Sequence, residues 1–157
     1  MEVRKVNRVY RGRLSSRQNR LDGFLPIPSA PHILKRVFPK RGTILIFPSS
    51  MKYRAMGKHM SRRWLCSKFK VKSIHFQSAT WVATTKYRIP VDDDSCFTGF
   101  RSLCEPELFP GSRLISLYGG AKVNLFNSGK CICLGKLFHR RETVVKILSS
   151  LFHNMLV

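Results

Sequence analysis

Acidic residues are scarce in this chain: 8 Asp and Glu stand against 29 Lys and Arg in 157 residues, a formal net charge of +21. That imbalance favours a polyanionic partner, nucleic acid before an anionic membrane surface. Long hydrophobic runs are missing too. No stretch approaches the ~20 apolar residues that a membrane span needs, so no membrane partner is expected. The N-terminal MEVRKVNRVYRGRL lacks the apolar core of a secretion signal. Catalytic signatures are also absent: there is no nucleophile elbow, phosphate-binding loop, HExxH or paired catalytic carboxylate set. An enzyme is therefore not the expected class, and no cofactor is implied.

The five cysteines (Cys66, Cys96, Cys104, Cys131, Cys133) are odd in number and contain no CxxC pair, while the five histidines are scattered without ligand spacing. No metal site is expected from them. Cys131 and Cys133 alternate with Ile132 and Leu134, so on a strand both thiols share one face. They read as small buried apolar groups of a reducing compartment.

What is present is a foldable chain. Apolar residues make up 43% of it, enough for one domain with a core. The first 20 residues hold an Arg-rich cluster, expected as a solvated, phosphate-attracting arm, with a strand-compatible Asn7-Arg8-Val9-Tyr10 inside it. The span 22–43 is rich in Pro and Gly, which argues against a long helix. Thr43 to Phe47 and Met51 to Met56 form a hairpin pattern. Met60 to Val71 is helical in part, with Trp64, Leu65 and Phe69 on its core face. Ser73 to Val91 is the longest β-like segment. Asp92-Asp93-Asp94 reads as an acidic helix start, followed by a helix over Ser95 to Leu103. Three strands are expected at Arg113 to Tyr118, Lys122 to Phe126 and Lys130 to Gly135. Thr143 to Leu156 then places Val144, Ile147, Leu148, Leu151 and Met155 at helical spacing.

The strongest internal signal is a repeat. TILIFPSSMKYRAMGK (43–58) and KVNLFNSGKCICLGK (122–136) share a strand ending in Phe, a Ser-containing turn, a Lys, a second strand and a closing Gly. Each copy follows an earlier strand and precedes a candidate helix. Two copies of one strand-and-helix unit imply an α+β fold: a pseudo-twofold antiparallel sheet, curved, with helices on one face.

Within that repeat, EPELFPG (105–111) precedes LFNSGKCICLGK (125–136), and KYRIPV (86–91) lies upstream in register. These stretches resemble the core domain of the TATA-binding protein family. The resemblance covers roughly 70–157, is fainter over 43–58 and is weakest before residue 43. It implies one saddle-shaped domain over 1–157, with 1–70 a shortened, divergent first repeat and 71–157 the better-matched second. It also implies a mechanism. The concave sheet face lies on the minor groove of AT-rich double-stranded DNA, and paired phenylalanines wedge between base steps and bend the duplex.

Carried over by position, Phe109 and Phe126 would be the C-terminal wedge pair, with Lys130 near the DNA backbone and Ile132 and Leu134 facing the groove. In the first copy Phe47 matches one wedge, Leu45, Arg54 and Met56 take groove-facing positions, and Lys52 takes that of Lys130. Asn7 and Val9 resemble the family's central Asn-x-Val, and Ser78 and Thr80 are their second-half counterparts. Glu105, Glu107 and Leu108 would form the stirrup that docks a transcription factor IIB-like partner and, beyond it, the RNA polymerase machinery. The chain also departs from the family. The residue matching Phe109 in the first copy is Ala30, with Phe24 or Leu25 as alternatives if an insertion intervenes. Met56 and Leu134 replace threonines, and Ser78 replaces an Asn.

The implied function is a divergent transcription initiation factor, of viral or parasite type, acting in the nucleus or at a viral transcription site. A nonspecific nucleic-acid-binding or packaging protein, using the same basic surface without promoter preference, stays open as the second reading. Saddle-like domains also occur in DNA glycosylases and some nucleases, but no helix-hairpin-helix or carboxylate set accompanies this one.

Overall fold

The protein is described here by a computed structural model covering residues 1–15, 21–89, 101–103 and 112–156. It is an α+β chain. In order, its elements are β1 (Glu2–Leu14), β2 (Leu25–Ile27), β3 (Ala30–Phe38), β4 (Gly42–Phe47), β5 (Lys52–Gly57), α1 (Arg62–Lys68) and β6 (Val71–Thr84). Then come β7 (Arg101–Leu103), β8 (Ser112–Ser116), a 3-10 turn at Tyr118–Gly120, β9 (Lys122–Phe126), β10 (Lys130–Gly135) and α2 (Arg141–Leu156). Two compact units result: a first unit of Asn7–Gln77, and a second of Met1–Val6 with Ser78–Val157.

Each unit repeats one strand order. In the first it is β2-β3-β4-β5-β1, and in the second β7-β8-β9-β10-β6. A long strand thus pairs with the last strand of its own half, and a helix follows that last strand. The pairings of these strands are antiparallel, as hairpin connections require.

Alternation explains the first unit, with Val9, buried beside Tyr10, as the exception. On β4 and β5 the buried residues are Ile44, Ile46, Tyr53 and Ala55, and β1 adds Tyr10 and Leu14. They form one cluster with Phe24, Met60 and Leu65. Burying every second residue directs one sheet face to the core and leaves the other open. The covering helix α1 is only seven residues long, too short to persist alone. The Ser61 hydroxyl caps it by accepting from the Trp64 amide at 3.1 Å. Leu65 is its one fully buried side chain, and Trp64 and Phe69 pack edge-on against Phe38. Phe24 joins the same aromatic group through Phe38 and Phe69, so it is a core residue.

The second unit uses the same period. Ala79, Trp81, Ala83, Ile115, Val123, Leu125, Cys131 and Cys133 are buried, and α2 buries Val144, Leu148 and Leu151 at helical spacing. The Trp81 indole N–H donates to the Phe138 carbonyl at 2.8 Å, which satisfies its one polar atom inside the core. Burial pushes both buried thiols up to about 12. No helix among the described residues is long and apolar enough to cross a membrane.

Two expectations change, and a strand appears where the prolines argued only against a long helix. The N-terminal Arg cluster is not an arm over 2–14, because those residues form the 13-residue strand β1. The Pro-rich span contains a nine-residue strand, β3. Its prolines are tolerated because pairing with β4 begins only at Leu34, and the β2–β3 ladder shifts register beside Pro26. Arg101–Leu103 is strand β7, not the end of a helix; it pairs with β8, and that long-range ladder overrides local helix preference. The acidic run 92–94 and the rest of the expected helix lie outside the described residues, as does the Met155 side chain.

Candidate nucleic-acid interface

The open face of the first unit is built from the alternate residues of three adjacent strands, β4, β5 and β1. Cross-strand registers place Met56 between Val9 and Thr43, Arg54 between Arg11 and Leu45, and Lys52 between Arg13 and Phe47. The result is an array of three rows: Val9-Met56-Thr43, Arg11-Arg54-Leu45 and Arg13-Lys52-Phe47. The second unit carries the matching array. Leu134 lies between Thr80 and Lys122, and Ile132 between Val82 and Asn124, while Lys130 faces Thr84. Lys130 Nζ sits 6.0 Å from the Phe126 ring centroid, closing the third row. Both units therefore end in a Lys–Phe corner at the turn of their hairpin.

The equivalence runs residue by residue. Arg8 pairs with Gly57 and Tyr10 with Ala55, just as Ala79 pairs with Gly135 and Trp81 with Cys133. Val9 therefore matches Thr80, and Asn7, two residues before it, matches Ser78. Asn7 and Ser78 are both half-buried. Val9, at 6% exposed, is the least accessible of the described candidate residues.

Within the first unit the open face is strongly cationic. Arg11 stands directly opposite Arg54, and Arg13 opposite Lys52, two like-charge pairs of a kind that costs stability. All four side chains are exposed, and none has a hydrogen-bond or ion-pair partner among the described residues. They line an open concavity of about 500 Å³ together with Phe47 and His75. Its floor is held by Tyr53, whose hydroxyl donates to the Ser73 carbonyl at 2.9 Å. Burial raises the Tyr53 phenol well above its usual range, so it stays a neutral donor. The Ser73 hydroxyl accepts from the Arg13 amide at 3.0 Å. A Cβ on Gly12 would collide with the Ser73 carbonyl, so β1 and β6 approach this closely only because residue 12 is glycine.

Other cations of this unit have structural work. Arg36 donates to the Asp22 carbonyl at 2.7 Å and lies over Phe38. Arg41 donates to the His59 carbonyl at 2.8 Å and lies over Trp64. The array cations lack such partners. Net charge divides in the same way. Residues 7–77 hold 17 Lys and Arg and one acid, a net +16; the second unit holds 12 and seven, a net +5.

The structure thus brings Leu45, Phe47, Lys52, Arg54 and Met56 together with Val9 in one array, and Thr80, Phe126, Lys130, Ile132 and Leu134 in the other. Sequence reasoning missed Arg11, Arg13, Thr43, Val82, Thr84, Lys122 and Asn124. Continuing the period-2 alternation from Asn7 and Val9 along RVYRGR would have found the first two. Phe109, Glu105, Glu107 and Leu108 lie outside the described residues. In the first unit, Ala30 opens β3 and pairs with Ile27 across the two-residue turn Pro28-Ser29. Leu25 is 70% exposed on the edge strand.

Among the described residues no group of three or more His, Cys, Asp or Glu is placed to hold a metal ion. What the two arrays define is a pair of antiparallel-sheet faces, each opposite its unit's core, the first strongly cationic and the second largely neutral. The chain matches no protein-family model, and no curated protein is significantly similar to it.

Proposed function

We propose that this protein is a DNA-binding transcription initiation factor that binds and bends AT-rich promoter DNA through the minor groove, as a saddle of the TATA-binding protein type. The observation that carries the reading is the Lys–Phe corner, present at matched positions of both open faces. A phenylalanine at the rim of a sheet face is placed to wedge between base steps, and the lysine beside it to neutralise the nearest phosphate. The repeated strand order and the matched registers support the same reading. So does the resemblance of EPELFPG and LFNSGKCICLGK to that family.

In this mechanism the uncharged residues of the two faces (Val9, Met56, Leu45; Thr80, Ile132, Leu134) lie against the groove floor, which offers few hydrogen-bond donors. Phe47 and Phe126, the latter joined by Phe109, unstack bases at the two ends. The bend brings more protein surface onto the duplex, which offsets the unstacking cost. Glu105, Glu107 and Leu108 then form the partner surface for a transcription factor IIB-like protein. An acidic stretch in so basic a chain suits a basic protein instead of phosphate.

Selection from random duplexes, with a circular-permutation bending assay on the winners, tests the proposal. The expected result is an AT-rich pyrimidine–purine motif and a bend that is lost in Phe109→Ala plus Phe126→Ala. A flat pool with no bend would favour the second reading, a nonspecific packaging protein, for which the +16 charge of the first unit is the supporting observation. For the partner surface, Glu105→Arg plus Glu107→Arg should abolish recruitment of the transcription factor in a pull-down; unchanged recruitment removes that role.

A further inference from the structure

The concavity of the first unit is a pocket as well as part of a sheet face. Its walls carry four cations from two adjacent strands, Arg11 and Arg13 of β1 and Lys52 and Arg54 of β5. Their side chains have no hydrogen-bond or ion-pair partner among the described residues, and they stand as two directly opposed like-charge pairs. Ser49 and Ser50 add two exposed hydroxyls, and the Phe47 ring and the exposed His75 imidazole line the same volume. No carboxylate is among the described residues lining it. The matching positions of the second unit are Val82, Thr84, Lys130 and Ile132, which hold a single cation. The minor-groove reading uses Lys52 at its corner but meets Arg11 and Arg54 with base edges, which carry acceptors and no formal charge.

We propose that this concavity is a binding site for the triphosphate group of a nucleoside triphosphate. Its volume of about 500 Å³ lies within the range of small-molecule sites. The sheet register fixes the cations opposite one another, and a compact polyanion between them turns two repulsions into charge-assisted hydrogen bonds. Arginine forks take phosphate oxygens in pairs, and the serine hydroxyls supply further donors. With no carboxylate alongside to hold a divalent ion, the side chains bind the phosphate oxygens directly. The rings of Phe47 and His75 offer faces on which a base stacks, a contact that tolerates any base. The site therefore recognises nucleoside triphosphates as a class and does not choose among bases. It goes beyond the DNA-binding reading and does not depend on it; where that reading also holds, nucleotide and duplex compete for the first unit's face.

Titration calorimetry of the full-length protein with ATP, GTP, inorganic triphosphate and AMP tests the site. ATP and GTP should bind saturably, one per chain, with similar affinity, and inorganic triphosphate more weakly because it has no base to stack. AMP, which lacks the two outer phosphates, should bind roughly tenfold or more weakly than ATP. Excess Mg²⁺ should weaken binding, because it takes the same oxygens. Arg11→Gln plus Arg54→Gln removes one opposed pair without touching the core. It should weaken ATP binding by roughly tenfold or more, while the melting temperature of the unliganded protein rises because the repulsion is gone. Arg141→Gln plus Lys146→Gln removes the same charge from the exposed side of α2 and should leave ATP affinity within about twofold, since distant exposed charges are screened. No saturable ATP binding, AMP binding as tight as that of ATP, or an equal loss in both double variants overturns the inference and leaves the duplex-selection and bending results untouched. Saturable ATP binding by a protein that selects and bends no duplex keeps this site and removes the minor-groove reading instead.

Discussion

At matched positions of the two open faces, Arg11, Arg13 and Arg54 stand in the first unit where Val82, Thr84 and Ile132 stand in the second. The covered faces stay uncharged in both units. Tyr10 matches Trp81, Ile44 and Ile46 match Val123 and Leu125, and Tyr53 and Ala55 match Cys131 and Cys133, all of them buried. Packing explains the contrast. A covered position must fill a closed volume beside a helix, where a change of one methylene is felt. An open position meets only solvent or a partner, so the two copies are free to become chemically different. The Lys–Phe corner is the exception, an open-face feature kept in both units. Under the proposed function, that is where the two units would share a task.

The largest effect should come from the covered faces. Ile46→Ala and Leu125→Ala each delete a side chain at 0% exposure and should each cost about 2–5 kcal/mol in urea unfolding. Losses of similar size support equivalent packing in the two units; a negligible loss at either position breaks the equivalence.

Next come the corners. Phe47→Ala and Phe126→Ala should each weaken binding to a bent-DNA site by roughly 1–3 kcal/mol, the worth of one aromatic–base stack, measured by fluorescence anisotropy. An effect at Phe126 alone would confine wedging to the second unit.

Ser61→Ala should lower stability by about 1 kcal/mol through the lost cap on α1. It acts in the first unit, whose helix is the shorter, and Ser61→Asp should restore the loss.

The smallest effect at neutral pH is that of the thiols. Cys131 and Cys133 have folded values raised by burial to about 12 from an ordinary 9.0, so the neutral thiol is the form the fold favours. Stability from this source is fully present below pH 9 and is lost as pH rises toward 12. Cys133→Ala should flatten that alkaline decline without shifting the curve's shape below pH 9, as followed by circular dichroism. At pH 8, Cys66 should react with an alkylating reagent while Cys131 and Cys133 stay protected.

Much of the hairpin architecture was legible locally. Thr43 to Phe47, Lys122 to Phe126 and Lys130 to Gly135 alternate so regularly that period, turn residues and closing glycine all agree. β3 was hidden because Pro31 and Pro39 read as breakers, whereas the pairing from Leu34 to Phe38 uses residues that need no proline N–H. β6 shows a subtler obstacle. Its core-packed residues are Ile74 and Phe76 in the first unit, but Ala79, Trp81 and Ala83 in the second. The alternation shifts by one between Gln77 and Ser78, so no single period describes the strand.

The sequence by itself determined the charge imbalance, the repeat, the alternation that assigns one face of each hairpin to the core, and the burial of both thiols. Those properties depend on residue type and on neighbours a few positions away. Tertiary structure alone decided that Arg11 faces Arg54, that Arg13 faces Lys52, and that the first array is cationic where the second is largely neutral. The reason is register. Residues 43 positions apart become neighbours only when β1 pairs with β5, and a slip of one residue would have turned every one of those cations toward the core.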